Sequence, residues 1–373
     1  MGIRESALEG VVVTPDFWRS RRVFVTGHTG FKGAWLCLCL HRLGAEVTGF
    51  ARPPQNEPNL FELAGLNRYM NSVFGDITDQ MSLKNTLTET KPEIVIHLAA
   101  QALVRRSYEH PLETLGTNVM GTAHLLEACR TVGELRAIVN VTSDKCYANR
   151  EWEWSYRESD HLGGNDPYSA SKACAELVTT AYRESFFMNG GNAVEPRAGL
   201  ATARAGNVIG GGDFGRDRLV PDLVRAAVGG KPALIRYPDA VRPWQHVLDS
   251  LGGYLRLAEL LWSDPASFST AWNFGPVQND VRSVRWVAQR FTELWPADFS
   301  WQVDPAPQPN EAQILSLDSS RARIKLAWRP RLDPEGALRW ALDWYCAVHQ
   351  DASVATNRTF EQIDDYLGMA PQS

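Results

Sequence analysis

The 373-residue sequence lacks a long apolar segment, a CxxC cysteine pair and an excess of basic residues. Its longest strongly apolar stretch, residues 34–40, is far shorter than the ~20 residues that a membrane-crossing helix needs. The six cysteines form no disulfide framework of the kind found in short secreted chains, so we expect reduced thiols, a cytoplasmic location and no metal site. A formal net charge of -5 argues against binding to nucleic acid or to a membrane surface.

Short apolar runs alternate with helix-like segments through the first half of the chain. A hydrophobic fraction of 44% with 22% charged residues is typical of a folded protein. Runs that are continuously apolar indicate parallel strands covered on both faces. The predicted strands are residues 21–27, 46–51, 71–75, 93–100 and 137–143, and the clearest predicted helices are residues 33–45 and 118–133. With right-handed crossovers, these elements predict a doubly wound parallel α/β sheet of the Rossmann type.

Three glycines spaced three apart, Gly27, Gly30 and Gly33, follow the first predicted strand. In a strand–turn–helix unit, such glycines permit a tight turn, a close approach of backbone to a pyrophosphate, and close helix–sheet packing. The pattern predicts a dinucleotide site, with an ordinary glycine-rich turn as the alternative. Lys32 either approaches a cofactor phosphate or is solvated.

The end of the second predicted strand leaves the choice of dinucleotide open. An NAD site usually has an acid there, which binds the ribose 2′-hydroxyl. This chain has Ala51 and Arg52 instead, and an arginine at that place suits the 2′-phosphate of NADP. Local chemistry therefore permits either NAD or NADP.

Tyr168 and Lys172 stand one helical turn apart in the segment YSASK. Asp166 and Pro167 suit the N-cap and the first position of that helix. A nearby cation favours the phenolate and lowers the pKa of tyrosine from about 10, so the pair could take an alcohol proton as a hydride leaves. Ser143, after the fifth predicted strand, could share that hydrogen bond. A surface helix pair is the alternative.

Together these motifs resemble the extended short-chain dehydrogenase/reductase superfamily and its NAD-dependent epimerase/dehydratase family. More closely, the segments FVTGHTGFKGAWL, SDKCY, RAGNVIGGGDFGRDRLVPD and RPWQHVLD resemble the CDP-glucose 4,6-dehydratases, and the similarity extends from Phe17 to about Leu342. The resemblance implies a lyase that makes CDP-4-keto-6-deoxyglucose and water from CDP-glucose, by oxidation at carbon 4, elimination across carbons 5 and 6, and hydride return to carbon 6.

The same resemblance implies tightly held NAD, a homodimer or higher homo-oligomer, and a role in deoxysugar biosynthesis for lipopolysaccharide O-antigen. The alternatives are a nucleotide-sugar 4-epimerase, a 4,6-dehydratase of another nucleotide-glucose, and a catalytically silent NAD-binding protein. A silent protein would be expected to lack Tyr168 or Lys172, and both are present.

By resemblance, the catalytic residues are Ser143, Asp144, Lys145, Tyr168 and Lys172. Tyr168 would deprotonate the sugar 4-hydroxyl with help from Ser143, and Lys172 would hold the nicotinamide ribose. Asp144 would be the acid and Lys145 the base of the elimination, where dTDP-glucose relatives have Asp-Glu. A lysine serves as a base only if its pKa is depressed from ~10.4. A salt-bridging Asp-Lys pair is the alternative.

The glycine pattern and the resemblance also assign binding residues. The cofactor set is Gly27, Thr29, Gly30, Phe31, Lys32, Gly33, Arg52, Asp76, Ile77, Leu98, Ala99 and Ala100, with Tyr168 and Lys172. The substrate set is Gln101, Asn207, Arg218, Leu219, Arg242 and Gln245. The planar fork of arginine suits phosphate oxygens, although Arg218 could instead form a surface salt bridge with Asp217 or Asp222. Asn118 is expected to support the sheet, and Asn310 stands where we expect a histidine in relatives.

These assignments predict how the chain is divided. Residues 1–20 are an N-terminal extension, and residues 21–200 form the NAD-binding Rossmann domain, to which segments 201–210 and 245–275 return. Residues 206–345 mainly form a smaller α/β lobe for the nucleotide sugar, because glycine, proline and arginine concentrate there without a new strand–helix rhythm. Residues 346–373 are a C-terminal tail. Since ligands bind beyond the carboxyl ends of parallel strands, the lobe is expected to close over that edge.

Overall fold

The structure is a computed structural model that describes residues 13–188, 197–277, 280–306 and 312–369. Its strands are β1 (Arg22–Thr26), β2 (Glu46–Ala51), β3 (Asn71–Phe74), β4 (Ile94–His97), β5 (Ala137–Val141), β6 (Gly199–Ala205), β7 (Val208–Ile209), β8 (Ala233–Ile235), β9 (Val241–Arg242), β10 (Gln245–His246), β11 (Ala271–Phe274), β12 (Arg282–Ser283) and β13 (Trp301–Val303). Within the described residues, seven of these form one parallel sheet in the order β11-β6-β5-β4-β1-β2-β3. The predicted doubly wound α/β fold is confirmed.

Helices cover both faces of this sheet. They are α1 (Pro15–Trp18), α2 (Phe31–Arg42), α3 (Leu60–Leu63), α4 (Gln80–Thr90), α5 (Val104–Glu109), α6 (Pro111–Leu115), α7 (Gly121–Cys129), α8 (Pro167–Tyr182), α9 (Leu219–Val228), α10 (Val247–Ser263), α11 (Pro265–Phe268), α12 (Val284–Leu294), α13 (Ser320–Lys325), α14 (Pro334–Gln350) and α15 (Ala355–Gly368). The helix predicted at 118–133 is a π-helical turn, Gly116–Met120, that continues into α7.

The central strands are buried on both faces, which explains their continuously apolar sequence. Every residue of β4, β5 and β6 is buried. Along β1, Val23 and Val25 join the hydrophobic cluster on one side of the sheet, whereas Phe24 joins the cluster on the other side. This alternation is the expected result of successive side chains pointing to opposite faces.

The fourth predicted strand ends earlier than predicted, where a side chain supplements the backbone ladder. The predicted strand 93–100 stops at His97, after which the amides of Leu98 and Ala99 donate to Oγ1 of Thr26, at 3.2 and 3.1 Å. The chain thus turns away from the sheet at the edge where β1 also ends. This edge is where ligands bind in open α/β sheets.

A smaller set of elements lies over that edge. Within the described residues it contains three two-stranded pairs, β7 with β10, β9 with β12, and β8 with β13, together with α9 and α12. Residues 346–368, predicted as a tail, are mostly helical in α14 and α15. The described residues contain no helix that is both long and apolar enough to pass through a bilayer. The division of the chain into domains remains a prediction.

Candidate active site

A cavity of about 600 Å³ lies between the carboxyl ends of the parallel strands and the smaller lobe. Most of the predicted site residues line it: Gly27, Thr29, Gly30, Phe31, Lys32, Gly33, Arg52, Asp76, Ile77, Leu98, Ala99, Ala100, Ser143, Asp144, Lys145, Tyr168, Lys172, Asn207, Arg218, Leu219 and Arg242. In the predicted catalytic and substrate sets, residues as far apart as Ser143 and Arg242, 99 positions, are brought to one space. Among the described residues, no group of three or more histidine, cysteine, aspartate or glutamate side chains is placed to hold a metal.

The three glycines form a close backbone turn between β1 and α2. Gly27 has a positive φ of 78°, and its amide donates to the carbonyl of Phe50 at 2.9 Å. A Cβ added at Gly33 would lie 2.1 Å from the carbonyl oxygen of Gly27, so a larger residue there must displace backbone. Gly30 is the N-cap of α2, with no side chain bonded to the amides of that cap. The helix therefore presents free space and amide groups to an anionic ligand.

Charged side chains surround the outer end of the cavity. Thr29 donates to the carbonyl of Arg52 at 2.9 Å, which ties the end of β2 to the glycine turn. Arg52 forms an ion pair with Glu113 of α6, at 3.5 Å between Nη1 and Oε1. Burial alone would raise the pKa of Asp76, but hydrogen bonds from Thr78 and the charge of Arg52 bring that pKa below its usual range.

The segment after β5 forms a tight turn at the inner end of the cavity. Ser143 donates to Oδ1 of Asp144 at 3.0 Å and accepts from the amide of Lys145 at 3.2 Å. Asp144 is buried, and its Oδ2 has no hydrogen-bond partner among the described residues. Burial raises the pKa of Asp144, although Lys145, the Ser143 hydroxyl and Arg242 oppose this shift. A carboxyl group with a raised pKa is suited to act as an acid.

Helix α8 places Tyr168 and Lys172 beside this turn. Asp166 caps the helix by accepting from the amide of Ser169 at 2.9 Å, as the sequence predicts. Burial raises the pKa of Tyr168 to about 12, and a hydrogen bond with Ser143 lowers it only in part. Burial also lowers the pKa of Lys172 to about 8. The prediction of a lowered tyrosine pKa is wrong for the protein alone, because the sequence does not reveal how deeply the phenol is buried.

Three cationic side chains line the part of the cavity near Asp144 and Asp213. Arg218 pairs with Asp213 at 2.8 Å, not with Asp217 or Asp222 as the surface alternative required. Arg242 is buried, and its Nη2 donates to the carbonyl of Ala312 at 2.6 Å. Lys32 is half-buried in the cavity wall, and burial lowers its pKa to about 8. These cations surround a space suited to a diphosphate.

Comparison with known proteins places this geometry in a family. The chain matches the family model described as GDP-mannose 4,6 dehydratase over residues 24–339. It is also 49% identical to a CDP-glucose 4,6-dehydratase of Salmonella typhimurium, over 95% of this chain and 99% of that relative. The chain belongs to the GDP-mannose 4,6-dehydratase family. The predicted family resemblance is confirmed.

Solved structures related to this dehydratase family share its fold. A UDP-glucose-4-epimerase of Stenotrophomonas maltophila, solved with NAD and formylated UDP-arabinopyranose, has a TM-score of 0.76 at 22% identity and covers 88% of this chain and 99% of its own. A dTDP-glucose 4,6-dehydratase of Bacillus anthracis, solved with NAD, has a TM-score of 0.71 at 20% identity, with coverages of 89% and 98%. Because epimerases and dehydratases both appear, the shared fold does not by itself decide the reaction.

Two predicted substrate residues of this 4,6-dehydratase family member lie away from the cavity wall. The Gln101 amide donates to Thr114 Oγ1 at 2.9 Å, and the Gln245 amide donates to the carbonyl of Phe274 at 2.9 Å. Both glutamines are buried and bonded to protein groups, so in this structure they support the fold rather than line the cavity. Asn118 donates to the carbonyl of Gln101 and supports the fold, as expected. Asn310 lies outside the described residues.

A buried ion pair beneath the turn formed by Ser143 to Lys145 was not predicted from the sequence. Glu176, one helical turn beyond Lys172, pairs with Arg204 of β6 at 2.7 Å. Glu176 also accepts from Thr142 Oγ1 at 2.5 Å, and Arg204 donates to Tyr147 Oη at 2.8 Å. The ion pair therefore holds the chain by hydrogen bonds on both sides of residues 143–145, at Thr142 and at Tyr147. The signal in the sequence was a single arginine within the apolar run GLATARA of β6.

Proposed function

We propose that this protein is a CDP-glucose 4,6-dehydratase, an NAD-dependent lyase that converts CDP-glucose to CDP-4-keto-6-deoxyglucose and water. The observation that carries the proposal is the 49% identity to a CDP-glucose 4,6-dehydratase across nearly the full length of both chains. The cavity supports it, since a buried acid, a lysine and the Tyr-Lys pair line one space.

The residues at the cavity fit NAD. At Gly33 a Cβ would collide with the backbone of Gly27, so the turn leaves space that only glycine keeps open. The N-terminus of the 12-residue α2 offers amides to a pyrophosphate, and Asp76 offers a carboxylate at the end of β3. NAD supplies, when bound, the hydride acceptor for carbon 4 and the hydride donor for carbon 6.

Tyr168 is proposed as the base for the first step. Its Oη takes the proton of the sugar 4-hydroxyl, while Ser143 holds the phenol by a hydrogen bond. With a pKa of about 12 in the protein alone, Tyr168 needs positive charge to enter the cavity before it acts as a base near neutral pH. Lys172, on the same helix face, would bind the ribose of the cofactor.

Asp144 and Lys145 are proposed to carry the elimination. The ketone at carbon 4 makes the hydrogen on carbon 5 acidic, and Nζ of Lys145 takes it as a proton. Asp144, whose pKa burial raises, gives its proton to the carbon 6 oxygen, and the C–O bond breaks with loss of water. Lys145 then returns its proton to carbon 5. The proton that Tyr168 took replaces, through solvent, the one that Asp144 gave up.

We further propose that the protein acts in the cytoplasm as a homodimer or higher homo-oligomer. Apolar side chains are exposed on neighbouring helical segments, at Leu112 and Leu115 of α6, Met120 of the π-helical turn, and Leu177 of α8. Such a patch supports an interface between copies of the chain. The keto sugar nucleotide suits deoxysugar biosynthesis for lipopolysaccharide O-antigen.

Incubation of the purified protein with CDP-glucose and NAD tests the proposed reaction. We expect a product that has lost one water by mass spectrometry and has a methyl group at carbon 6 by NMR. Parallel incubations with dTDP-glucose and GDP-mannose should turn over far more slowly. A product of unchanged mass with inverted configuration at carbon 4 would establish the epimerase alternative and contradict the proposal.

A further inference from the structure

We propose that Glu113 determines cofactor choice in this protein, because it pairs with Arg52 and keeps that guanidinium from a 2′-phosphate. The inference rests on the proposed NAD-dependent function and adds a residue to it. It answers the anomaly at the end of β2, where an arginine stands in place of the acid that NAD sites usually have.

Arg52 is held beside the glycine turn of residues 27–33. Its backbone carbonyl accepts from the hydroxyl of Thr29, which lies between the first two glycines of the turn. Arg52, Thr29 and Asp76 all line the cavity. The end of β2 is the place where dinucleotide folds bind the adenosine ribose, so the side chain of Arg52 stands where a 2′-hydroxyl or a 2′-phosphate would be distinguished.

Glu113 meets Arg52 from α6. Its Oε1 lies 3.5 Å from Nη1 of Arg52, and both carboxylate oxygens also accept from Arg106, at 3.0 to 3.3 Å. Burial favours the neutral acid, but Arg106 and Arg52 outweigh this and hold the pKa of Glu113 below its usual range. Glu113 is therefore a fixed negative charge at this site.

The charges around Arg52 are balanced rather than basic. Two arginines, Arg52 and Arg106, lie near two carboxylates. Glu113 forms ion pairs with both arginines, and the charge of Arg52 also helps to lower the pKa of the second acid, Asp76. A neutral 2′-hydroxyl enters such a site without electrostatic cost. A 2′-phosphate carries about two negative charges and would meet both carboxylates while Arg52 is already paired. Loss of the charge on Glu113 would leave two arginines to bind the phosphate.

Equilibrium binding of NAD and NADP to the cofactor-stripped full chain tests the inference. Isothermal titration without sugar substrate gives a readout that does not depend on turnover. The wild type should bind NAD more tightly than NADP. Glu113→Gln should tighten NADP about tenfold, in line with gaining charge-assisted hydrogen bonds, and should change NAD by less than about twofold.

Two further variants make the result specific. Glu109→Gln removes the same charge from an exposed residue of α5 and should change NADP affinity by less than about twofold. The double variant Glu113→Gln with Arg52→Gln should lose the gain in NADP affinity. The gain should also shrink as salt is raised, because Arg52 and Glu113 are only partly buried.

Several outcomes would overturn the inference. These are a wild type that prefers NADP, an unchanged ratio of the two affinities in Glu113→Gln, an equal shift in Glu109→Gln, or a gain that persists without Arg52. A protein that binds neither dinucleotide would overturn the inference and the proposed function together. Selective NAD binding without dehydration of CDP-glucose would contradict the proposed function alone.

Discussion

The two ends of the cavity use charge in different ways. At the inner end, Asp144, Tyr168 and Lys172 are buried. Burial favours the neutral form of each group, so it raises the pKa of Asp144 and Tyr168 and lowers that of Lys172. At the outer end, Arg52 and Glu113 are partly exposed, and ion pairing lowers the pKa of the acid. A change of one charge has a large effect in a low-dielectric interior and a small, salt-dependent one near solvent. The inner end is therefore suited to chemistry and the outer end to discrimination between ligands.

The largest effect is expected from Asp144→Asn at the inner end. An amide of nearly the same shape has no acidic proton, so kcat should fall about 10²- to 10⁴-fold while NAD and CDP-glucose still bind. In the wild type the acid must be protonated, and burial raises its pKa, so kcat should fall as pH rises through that raised pKa. The variant should lack this decline. Steady-state rates across pH check both points, and a loss of less than tenfold would contradict the role of Asp144.

Glu176→Gln should be the next most damaging change, because it breaks the buried ion pair with Arg204 under the turn of Ser143 to Lys145. Removal of one partner from a buried ion pair typically costs about 3–5 kcal/mol of unfolding free energy. Glu176 also raises the pKa of Lys172, so that pKa should fall below about 8 and any activity that needs the charged lysine should decline at a lower pH. Chemical denaturation and a pH profile measure the two effects. An unchanged profile would show that the pair is structural only.

Gly33→Ala tests the close backbone approach in the glycine turn, which lies between the two ends of the cavity. The added Cβ would lie 2.1 Å from the Gly27 carbonyl, so the turn must shift, with a cost of about 1–3 kcal/mol and weaker NAD binding. Gly116→Ala is a matched control, since its Cβ would meet nothing within 4 Å. Thermal unfolding and NAD titration of both variants check the prediction. Equal behaviour of the two alanines would contradict the close approach at Gly33.

The smallest effect is expected from Asp76→Asn at the outer end. The amide keeps one acceptor for Thr78 but loses the charge near Arg52, so NAD affinity should fall only about two- to fivefold. Titration at low and high salt measures this loss and should show it shrinking with salt. A hundredfold loss would mean that the outer end is as sensitive as the inner one, and the contrast between them would be broken.

The sequence predicted features that depend on neighbouring residues along the chain. The first five strands, the glycine turn and the Asp166 cap of α8 were found because apolar periodicity, glycine spacing and capping are local signals. The cavity also gathers nearly all the site residues that were assigned by resemblance to a family.

Features that depend on distant pairs were not predictable from these signals. Arg52 meets Glu113 across 61 positions, and Arg204 meets Glu176 across 28. Arg218 pairs with Asp213 rather than with Asp217 or Asp222, the two acids that the sequence analysis considered. Which charges pair, and how deeply they are buried, is decided by tertiary packing, and for the same reason the direction of the Tyr168 pKa shift was predicted wrongly.

An isotope experiment tests the central claim that one cavity removes a hydride and returns it to the same sugar. The protein would receive equal amounts of CDP-glucose deuterated at carbon 4 and CDP-glucose labelled with carbon-13 and carrying ordinary hydrogen there. If the hydride stays with one sugar, deuterium should appear at carbon 6 of the keto product, confined to molecules without carbon-13. Deuterium in the carbon-13 molecules, its loss to solvent, or its retention at carbon 4 with the 6-hydroxyl intact would contradict return of the hydride to the same sugar.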